Sequence, residues 1–339
     1  MDDDQRQQPD VTTGIVRQRQ RFGPFVLEGS LGSGAMARVY RSHDGQRPVA
    51  IKILSSAAAA DPELLARFHR EAAIGRRLRH RHIVAVYDEV YHQQHHAIVM
   101  ELAEGPSLEA LVDHQGPMPW RRVLGYGLQL TEVLGYLHEQ GIIHRDIKPA
   151  NIQLTAGDVI KLLDLGFGKR VESSAVEQSS SEALASDLTV SGTSLGSPAY
   201  MAPEQVSDAG HAGAASDVYG LAATMFHLLT GSLPYDGDSA VQVMERVFSD
   251  PVPHIQDHDP QLPPALDALL LWAMAKDPQR RLPDMATVRD WLERVGDDPA
   301  DAAAVRRARR AHCRQGLMLI TVVVCALVIS GACCWWVWG

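Results

Sequence analysis

Short runs of apolar residues with a period of two dominate the N-terminal third of the chain. The runs FVLEGSL, ARVYRS and PVAIKIL are separated by glycine-containing turns and predict three β-strands. A helical pattern follows over residues 61–79, where Asp61 and Pro62 suit the N-cap and the first helical position. Two further strand-like runs, residues 83–90 and 96–102, complete a small sheet that is accompanied by one helix.

Beyond Gly105 the spacing of apolar residues changes from the strand period to the helix period. The segments with this spacing are 107–115, 119–140, 216–231, 238–248, 263–275 and 285–295. One β-rich segment, residues 151–163, interrupts them. The pattern therefore predicts an α+β fold with two lobes, a small β-sheet N-lobe with one helix and a larger helical C-lobe.

The C-terminal residues 317–339 form an apolar segment without any charge. As a helix these residues reach roughly 34 Å at about 1.5 Å per residue, which is enough for a bilayer core of about 30 Å. Five arginines within residues 306–314 precede the segment, and three tryptophans lie close to its end. This order is typical of a membrane anchor whose basic flank stays in the cytoplasm, and it disfavours the alternative of a buried core helix.

These patterns divide the chain into four parts. We predict a disordered N-terminal arm over 1–21, a folded domain over 22–295, an Arg-rich juxtamembrane linker over 296–316 and one C-terminal transmembrane helix over 317–339. We expect a single-pass protein that lies in the cell inner membrane or plasma membrane, with the folded domain in the cytoplasm.

The overall composition and the positions of the cysteines exclude several kinds of binding partner and site. Hydrophobic residues make up 45% and charged residues 22%, as in globular proteins. Residues 1–305 carry 27 basic and 41 acidic side chains, a net charge of −14, so we predict no nucleic-acid partner. All four cysteines lie at or after Cys313, which excludes a disulfide framework or a cysteine-ligated zinc site from the preceding residues.

A glycine-rich turn between two predicted strands is the first feature that indicates chemistry. In LGSGAMARVY, Gly32 and Gly34 let the backbone approach phosphate oxygens without a Cβ clash. A strand follows the turn and no G-K-[ST] occurs in it, so it is neither a dinucleotide fingerprint nor a Walker A loop. Lys52 on the next strand and Glu71 on the helix can together form a phosphate clamp, although a solvent-exposed strand lysine and helix carboxylate are the ordinary alternative.

The segment HRDIKPAN, residues 144–151, is the most specific signal in the sequence. Asp146 can accept a hydroxyl proton, Lys148 can neutralise a transferring phosphoryl group, and the carbonyl oxygen of Asn151 can bind a cation. Asp164 follows in the sequence DLG after a strand-like run, and a carboxylate is a suitable ligand for Mg²⁺. The spacing therefore indicates a site for metal-assisted phosphoryl transfer.

These motifs occur in the order that protein kinases have, so residues 22–295 resemble a protein kinase, specifically a bacterial eukaryotic-like Ser/Thr protein kinase. The resemblance continues through SPAYMAPEQ, SDVYGLA, LLTGSLPYDGDS and KDPQRRLP. It implies the bilobal protein kinase fold, ATP as phosphoryl donor, Mg²⁺ as metal with Mn²⁺ as an expected substitute, and protein substrates.

The resemblance also implies a role for individual residues. Lys52 and Glu71 are expected to form the ion pair of the N-lobe helix, Asp146 to be the catalytic base with Lys148 beside it, and Asn151 and Asp164 to hold the metal. The residues expected to contact the nucleotide are Leu31, Gly32, Gly34, Val39, Ala50, Lys52, Met100, Glu101, Ala103 and Gln153. Glu204 and Arg281 correspond to a buried ion pair, and Asp217 to the residue that supports the catalytic loop.

Two features of the resemblance bear on specificity and control. Lys148 is typical of Ser/Thr kinases, and Arg145 before the base is typical of kinases that are switched by phosphorylation. Residues 173–197 contain eleven Ser or Thr and predict a long activation loop. Its candidate phosphorylation sites are Thr189, Ser191 and Thr193.

Three positions depart from the family pattern. Ala37 replaces the third glycine of the loop, and Leu165 replaces the phenylalanine of the metal motif. Gln153 stands where an apolar residue normally lies under the adenine. Either its amide weakens nucleotide binding or its methylene groups still cover the ring.

A run of histidines offers a competing interpretation as a metal site. The residues are His80, His82, His92, His95 and His96. Because they have no carboxylate or cysteine partner at ligand spacing, we interpret YHQQHH as the turn between two strands of the N-lobe.

The sequence therefore predicts a membrane-associated protein Ser/Thr kinase that also phosphorylates its own activation loop. Its partners are expected to be protein substrates, ATP, a membrane and a possible second copy of the chain. The alternative is a catalytically weak pseudokinase or a membrane-tethered scaffold, which usually lacks the lysine, the base or a metal ligand, whereas all three are present. A small-molecule kinase would normally lack the SPAYMAPEQ segment.

Overall fold

Five antiparallel strands in the first hundred residues form the sheet of the N-lobe. The structure is a computed structural model, and it describes residues 21–34, 36–164, 169–170, 197–207 and 212–301. The strands are β3 (Gly29–Ser33), β4 (Ala37–His43), β5 (Pro48–Leu54), β6 (Val86–His92) and β7 (His95–Glu101), in the spatial order β3-β4-β5-β7-β6. A small hairpin of β1 (Arg21–Phe22) and β2 (Phe25–Val26) precedes them, so regular structure begins at Arg21, which the sequence assigned to the N-terminal arm.

The period-two pattern of β5 and β7 divides the N-lobe core into two layers. Val49 and Ile51 lie on one face of the sheet, with the aromatic rings of β1 and β2. Leu54 and Ile98 lie on the other face, where the helix α2 (Pro62–Gly75) covers them with Phe68. Lys52 alternates with Val49 and Ile51, so it shares the face that α2 covers.

The ends of α2 have clear local causes. The Asp61 carboxylate accepts hydrogen bonds from the backbone N–H groups of Glu63 and Leu64 at 2.8 and 3.2 Å, and Pro62 occupies the first turn, as predicted. The helix ends at Gly75 rather than at residue 79. A Cβ on Gly75 would lie 2.4 Å from Val86 Cγ2, so this close approach to β6 requires glycine.

The predicted strand over 83–90 is displaced in the structure, where β6 begins at Val86. Ile83 and Val84 are buried and pair instead with the C-lobe, because Val84 N–H donates to the carbonyl of Leu162 at 3.1 Å. An apolar run alone does not distinguish a strand of the sheet from an extended loop of the N-lobe that pairs with the C-lobe.

Nine α-helices and three two-stranded antiparallel pairs are assigned within the described residues. The remaining elements are α1 (Ser56–Ala59), α3 (Leu108–Gln115), α4 (Trp120–Glu139), β8 (Ile142–Ile143), β9 (Ile152–Thr155), β10 (Val159–Leu162), β11 (Lys169–Arg170), α5 (Pro203–Ser207), α6 (Ala214–Thr230), α7 (Ala240–Ser249), α8 (Pro264–Ala273) and α9 (Met285–Asp297). The predicted β-rich segment over 151–163 is the antiparallel hairpin of β9 and β10.

The C-lobe is built around α6, whose side chains are almost all buried. It packs between α4 and α8, and α9 packs against both of these helices. Trp272 and Trp291 meet edge to face, with ring centroids 5.5 Å apart. Gly231 ends α6 in the left-handed conformation, with φ of 68°, as is common at helix C-termini. The core therefore supports the short segments that lie at the junction of the lobes.

A buried ion pair braces the C-lobe at the end of α5. The guanidinium of Arg281 donates to both carboxylate oxygens of Glu204, at 2.6 and 2.7 Å, as the resemblance implied. Burial opposes ionisation of Glu204, but its hydrogen bonds to Arg281 hold its pKa below the ordinary value.

In residues 21–301, so far as they are described, no helix is long and apolar enough to cross a membrane, and the predicted span 317–339 lies outside that part.

Candidate active site

Lys52 lies between two carboxylates that come from distant parts of the chain. Its ammonium nitrogen Nζ is 2.7 Å from Glu71 Oε1 on α2 and 2.6 Å from Asp164 Oδ1, which follows β10. The predicted pair of Lys52 and Glu71 is thus present, and Asp164 adds a third charge. The Asp164 side chain is 47% exposed, so this carboxylate still faces the open space between the lobes.

The charges of this cluster depend on one another. Burial favours neutral Lys52, but the fields of Asp164 and Glu71 outweigh burial and raise its pKa above the ordinary value. Burial raises the pKa of Glu71, although Lys52 opposes the shift. The positive charge of Lys52 lowers the pKa of Asp164. The cluster therefore keeps a fixed positive charge and an ionised carboxylate side by side at neutral pH.

The loop between β8 and β9 carries the second group of predicted residues, and a buried carboxylate fixes its backbone. Asp217 on α6 accepts hydrogen bonds from the N–H groups of His144 and Arg145, at 2.9 and 2.8 Å. His138 on α4 contacts the same carboxylate through Nε2 at 2.8 Å. Arg145 has a φ of 70°, a strained conformation for a non-glycine residue, and the two hydrogen bonds to Asp217 hold it there.

Within this loop the predicted base and its neighbours form a compact cluster. Lys148 Nζ lies 2.9 Å from Asp146 Oδ2. The side-chain amide of Asn151 donates to Asp146 Oδ2 at 2.7 Å and to the Asp146 carbonyl at 2.9 Å. Because both contacts orient the carboxylate, Asp146 is held in one position at the mouth of the cleft.

A cleft of about 580 Å³ separates the lobes beside these groups. Its lining includes eight of the residues predicted to contact a nucleotide: Leu31, Gly32, Val39, Ala50, Met100, Glu101, Ala103 and Gln153. Lys52 is paired with Glu71 and Asp164, which both line the cleft, so its ammonium group lies at the inner end of the cleft. Gly34 lies at the tip of the β3–β4 hairpin, outside the lining. The cleft is large enough for a nucleotide, and its lining combines apolar side chains with charged and polar ones.

Comparison with known proteins agrees with this geometry. The protein kinase domain family model matches residues 25–292. The chain belongs to the protein kinase family. It is 36% identical over 281 residues to the serine/threonine-protein kinase PknL of Mycobacterium tuberculosis, an alignment that covers 81% of the chain and 66% of PknL.

The chain is also similar to a second curated bacterial protein and to a solved bacterial structure. It is 36% identical over 289 residues to the serine/threonine-protein kinase PknB of Mycobacterium leprae, covering 83% of the chain but 44% of PknB. The crystal structure of the Mycobacterium tuberculosis PknI kinase domain superposes with a TM-score of 0.61 at 28% identity, covering 81% of the chain and 98% of that domain. The chain therefore spans a whole kinase domain but at most two thirds of the length of these curated relatives.

The segment that joins the two lobes at the end of β7, residues 101–105, is called the hinge here, and it contains contacts that sequence reasoning missed. The Glu101 carboxylate pairs with Lys161 on β10 at 2.6 Å and accepts from the N–H of Ala85 at 3.1 Å. Its side chain therefore ties the hinge to the C-lobe. Strand alternation gave no signal for this pair, because the partners are sixty residues apart.

Gln153 turns its polar end toward the hinge. Its side-chain amide donates to the carbonyl of Gly105, and β9 reaches the hinge again through a bridge between Gln153 and Ser107. The amide is thus engaged by the backbone, which leaves the methylene groups for the cleft. Gly105 is itself required, because a Cβ there would lie 1.9 Å from the Leu154 carbonyl oxygen.

The residues present fit a magnesium nucleotide. Asp164 offers an ionised, half-exposed carboxylate, and Asn151 offers an amide whose N–H₂ group is already bound to Asp146. Hard oxygen donors of this kind suit Mg²⁺. The ammonium of Lys52 next to Asp164 suits the phosphate oxygens that such a metal would carry.

The structure also places the histidines of the N-lobe. His92 and His95 flank the turn between β6 and β7, as the sequence predicted for YHQQHH. His80 and His82 lie in the loop between α2 and β6, where their Nε2 atoms are 3.3 and 4.0 Å from Glu132 on α4. His96 has a different environment, beside His69 and Glu89, two residues that the sequence did not connect with it. The candidate phosphorylation sites Thr189, Ser191 and Thr193 lie outside the described residues.

Proposed function

We propose that the chain is a protein Ser/Thr kinase that transfers the γ-phosphate of ATP to hydroxyl groups of proteins. The observation that carries the proposal is the complete set of charged groups, Lys52 with Glu71 and Asp164 at the inner end of the cleft and Asp146 with Lys148 at its mouth. A pseudokinase or scaffold would have no need to keep these groups paired and oriented.

The chain's own residues would divide the work of transfer. Asp146, held by Asn151 and Lys148, is placed to accept the proton of an incoming hydroxyl group. Lys148 adds positive charge beside the base, and Lys52 holds phosphate oxygens at the other end. When bound, Mg²⁺ neutralises phosphate charge, and Asp164 and Asn151 would hold it.

A protein substrate is favoured over a small molecule because the segment after the activation loop is tied to the catalytic loop. The Gln205 side chain donates to the Arg145 carbonyl at 2.9 Å and accepts from the N–H of Ala202 at 3.1 Å. Glu204 beside it is fixed by Arg281. These contacts make residues 197–205 a fixed platform next to Asp146, which a peptide chain requires and a small molecule does not.

Asp146→Asn is expected to lower Mg²⁺-dependent autophosphorylation by at least about 100-fold, the smallest usual contribution of a general base. Lys52→Met and Asp164→Asn should have the same result, because each removes one charge of the cleft. Radiolabel transfer from ATP by the purified full-length chain measures the effect, and far-UV circular dichroism checks the fold. The matched control is Asp290→Asn, which neutralises an exposed carboxylate on α9. Undiminished transfer in Asp146→Asn would remove the catalytic assignment.

Activation by phosphorylation is a second element of the proposal, and Arg145 supports it. Its guanidinium is half-buried and donates to the Ala212 carbonyl at 3.1 Å, while its Nε has no hydrogen-bond partner within the described part of the chain. A phosphate adds about −1.5 to −2 charge and three acceptor oxygens, which would satisfy this group.

We expect autophosphorylation within residues 186–194, where Thr189, Ser191 and Thr193 lie. Replacing these three residues by Ala should lower the activity, because Arg145 then has no phosphate partner. Mass spectrometry of the active protein and an initial-rate assay measure the two effects. Ser173, Ser174 and Ser179 replaced together by Ala provide the matched control in the same segment. An unmodified loop in a fully active protein would contradict this switch.

We further propose that residues 317–339 anchor the kinase to a membrane as a single helix, with the domain over 22–295 in the cytoplasm. The support is the uncharged apolar sequence and the arginines before it. Ala326 and Ser330 have a small-xxx-small spacing that suits packing of two such helices, and a homodimer in the bilayer would favour phosphorylation of one loop by another copy.

Deletion of residues 312–339 should release the kinase into the soluble fraction. It should also slow activation at low protein concentration, because the membrane no longer raises the effective concentration of one copy for another. Fractionation of the full-length and the truncated chain, followed by activity time courses at several protein concentrations, measures both effects. If the full-length chain is soluble without detergent, the anchor proposal fails and the catalytic proposal is unaffected.

A further inference from the structure

Two histidines and a glutamate from three different elements meet on the outer side of the N-lobe. His69 lies on α2, Glu89 on β6 and His96 on β7, and one donor atom from each lies within 4.8 Å of the others. His69 Nδ1 contacts the Glu89 carboxylate directly. The ring of His96 meets the ring of His69 edge to face, with centroids 4.9 Å apart.

The fold dictates this meeting. In β7, His96 alternates with Ala97 and therefore shares the face of Ile98, which packs under α2. Glu89 pairs with Ile98 in the register of β6 and β7, so it lies on the same face. His69 follows Phe68, which is buried under the helix, and stands at the edge where α2 crosses these two strands.

The chemistry of the group suits a transition metal. Two imidazoles and a carboxylate are the donor set that binds Zn²⁺ with three protein ligands and leaves a fourth position for water. All three side chains are partly buried and remain accessible to solvent.

A simple ion pair between His69 and Glu89 would explain only part of this arrangement. It would give the direct contact between these two residues, but it would not involve His96, whose ring stands against His69 and also contacts Tyr91. The neighbouring His95 differs, because its Nδ1 is engaged with the carbonyl of Gln93 at 2.7 Å. His95 is therefore the natural control.

We propose that His69, Glu89 and His96 form a Zn²⁺ site that clamps α2 to the β6–β7 edge of the sheet. Zinc–nitrogen bonds of about 2.0 Å place neighbouring donor atoms of a tetrahedral site roughly 3.3 Å apart, so small rotations of the three side chains complete the site. The ion replaces the single contact between His69 and Glu89 with a link among three elements.

The clamp has a consequence for the catalytic cleft, because His69 is two residues from Glu71 on the same helix. An ion that fixes α2 against the sheet also favours the position in which Glu71 reaches Lys52 at 2.7 Å. Zinc binding is therefore expected to favour the paired state of Lys52. This regulatory step rests on the proposed kinase activity, whereas the metal site does not.

The site is tested by titrating the full-length chain, purified in detergent without a histidine tag, with Zn²⁺ against a chelating dye. Excess Mg²⁺ occupies the oxygen ligands of the cleft, and alkylation blocks the four C-terminal cysteines. The wild type should bind one Zn²⁺ ion per chain. Each of the variants His69→Gln, Glu89→Gln and His96→Gln should bind this ion with an affinity lower by at least about tenfold. His95→Gln should bind as the wild type does.

Two further measurements separate a metal site from an ion pair. Co²⁺ in place of Zn²⁺ should give the visible absorption of a low-coordinate site in the wild type and lose it in His96→Gln. Zn²⁺ should raise the thermal unfolding midpoint of the wild type and of His95→Gln but not that of His96→Gln. If binding is unchanged in His96→Gln, or falls equally in His95→Gln, the site does not exist as proposed. If zinc binds as expected without changing activity, only the regulatory step fails.

Discussion

The structure depends on one buried ammonium group, that of Lys52, which is shared between Glu71 and Asp164. A charge in this position is stable only when carboxylates accompany it, because burial without a partner costs several kcal/mol. The partners come from α2 and from the segment after β10. This one interaction therefore fixes three elements relative to one another, and it joins the sheet of the N-lobe to the C-lobe.

Asp217 has the corresponding function in the C-lobe. It is fully buried, and it accepts hydrogen bonds from two successive N–H groups of the catalytic loop. The loop in turn positions Asp146, and Asn151 and Lys148 complete its surroundings. The two charged centres thus lie on opposite sides of one cleft. The core around α6 supports one of them, and the position of α2 on the sheet sets the other, which is where the proposed zinc clamp acts.

The residues of the catalytic cleft could be found from the sequence because each motif is short and its chemistry is local. Asp61 and Pro62 predicted the start of α2 for the same reason. The end of α2 and the start of β6 could not be predicted, since they depend on the contact of Gly75 with Val86 and on the pairing of Val84 with Leu162.

Long-range pairs could be predicted only where the family resemblance supplied them, as it did for Glu204 and Arg281. The histidine run drew attention to neighbours in the chain, whereas His96 meets His69 and Glu89 only because β6, β7 and α2 share one face. Likewise, no local signal joins Glu101 to Lys161. The contact between the Gln153 amide and the Gly105 carbonyl likewise has no local signal in the sequence.

A double-mutant cycle on Lys52 and Glu71 tests the central claim most directly. Lys52→Met, Glu71→Gln and the combined variant are compared with the wild type by kcat/KM for phosphorylation of a Ser/Thr peptide. If the ion pair builds the site, the two single losses are large and the second substitution adds little to the first, because the residues act as a unit. Independent losses that add, or wild-type kcat/KM in Lys52→Met, would contradict the account.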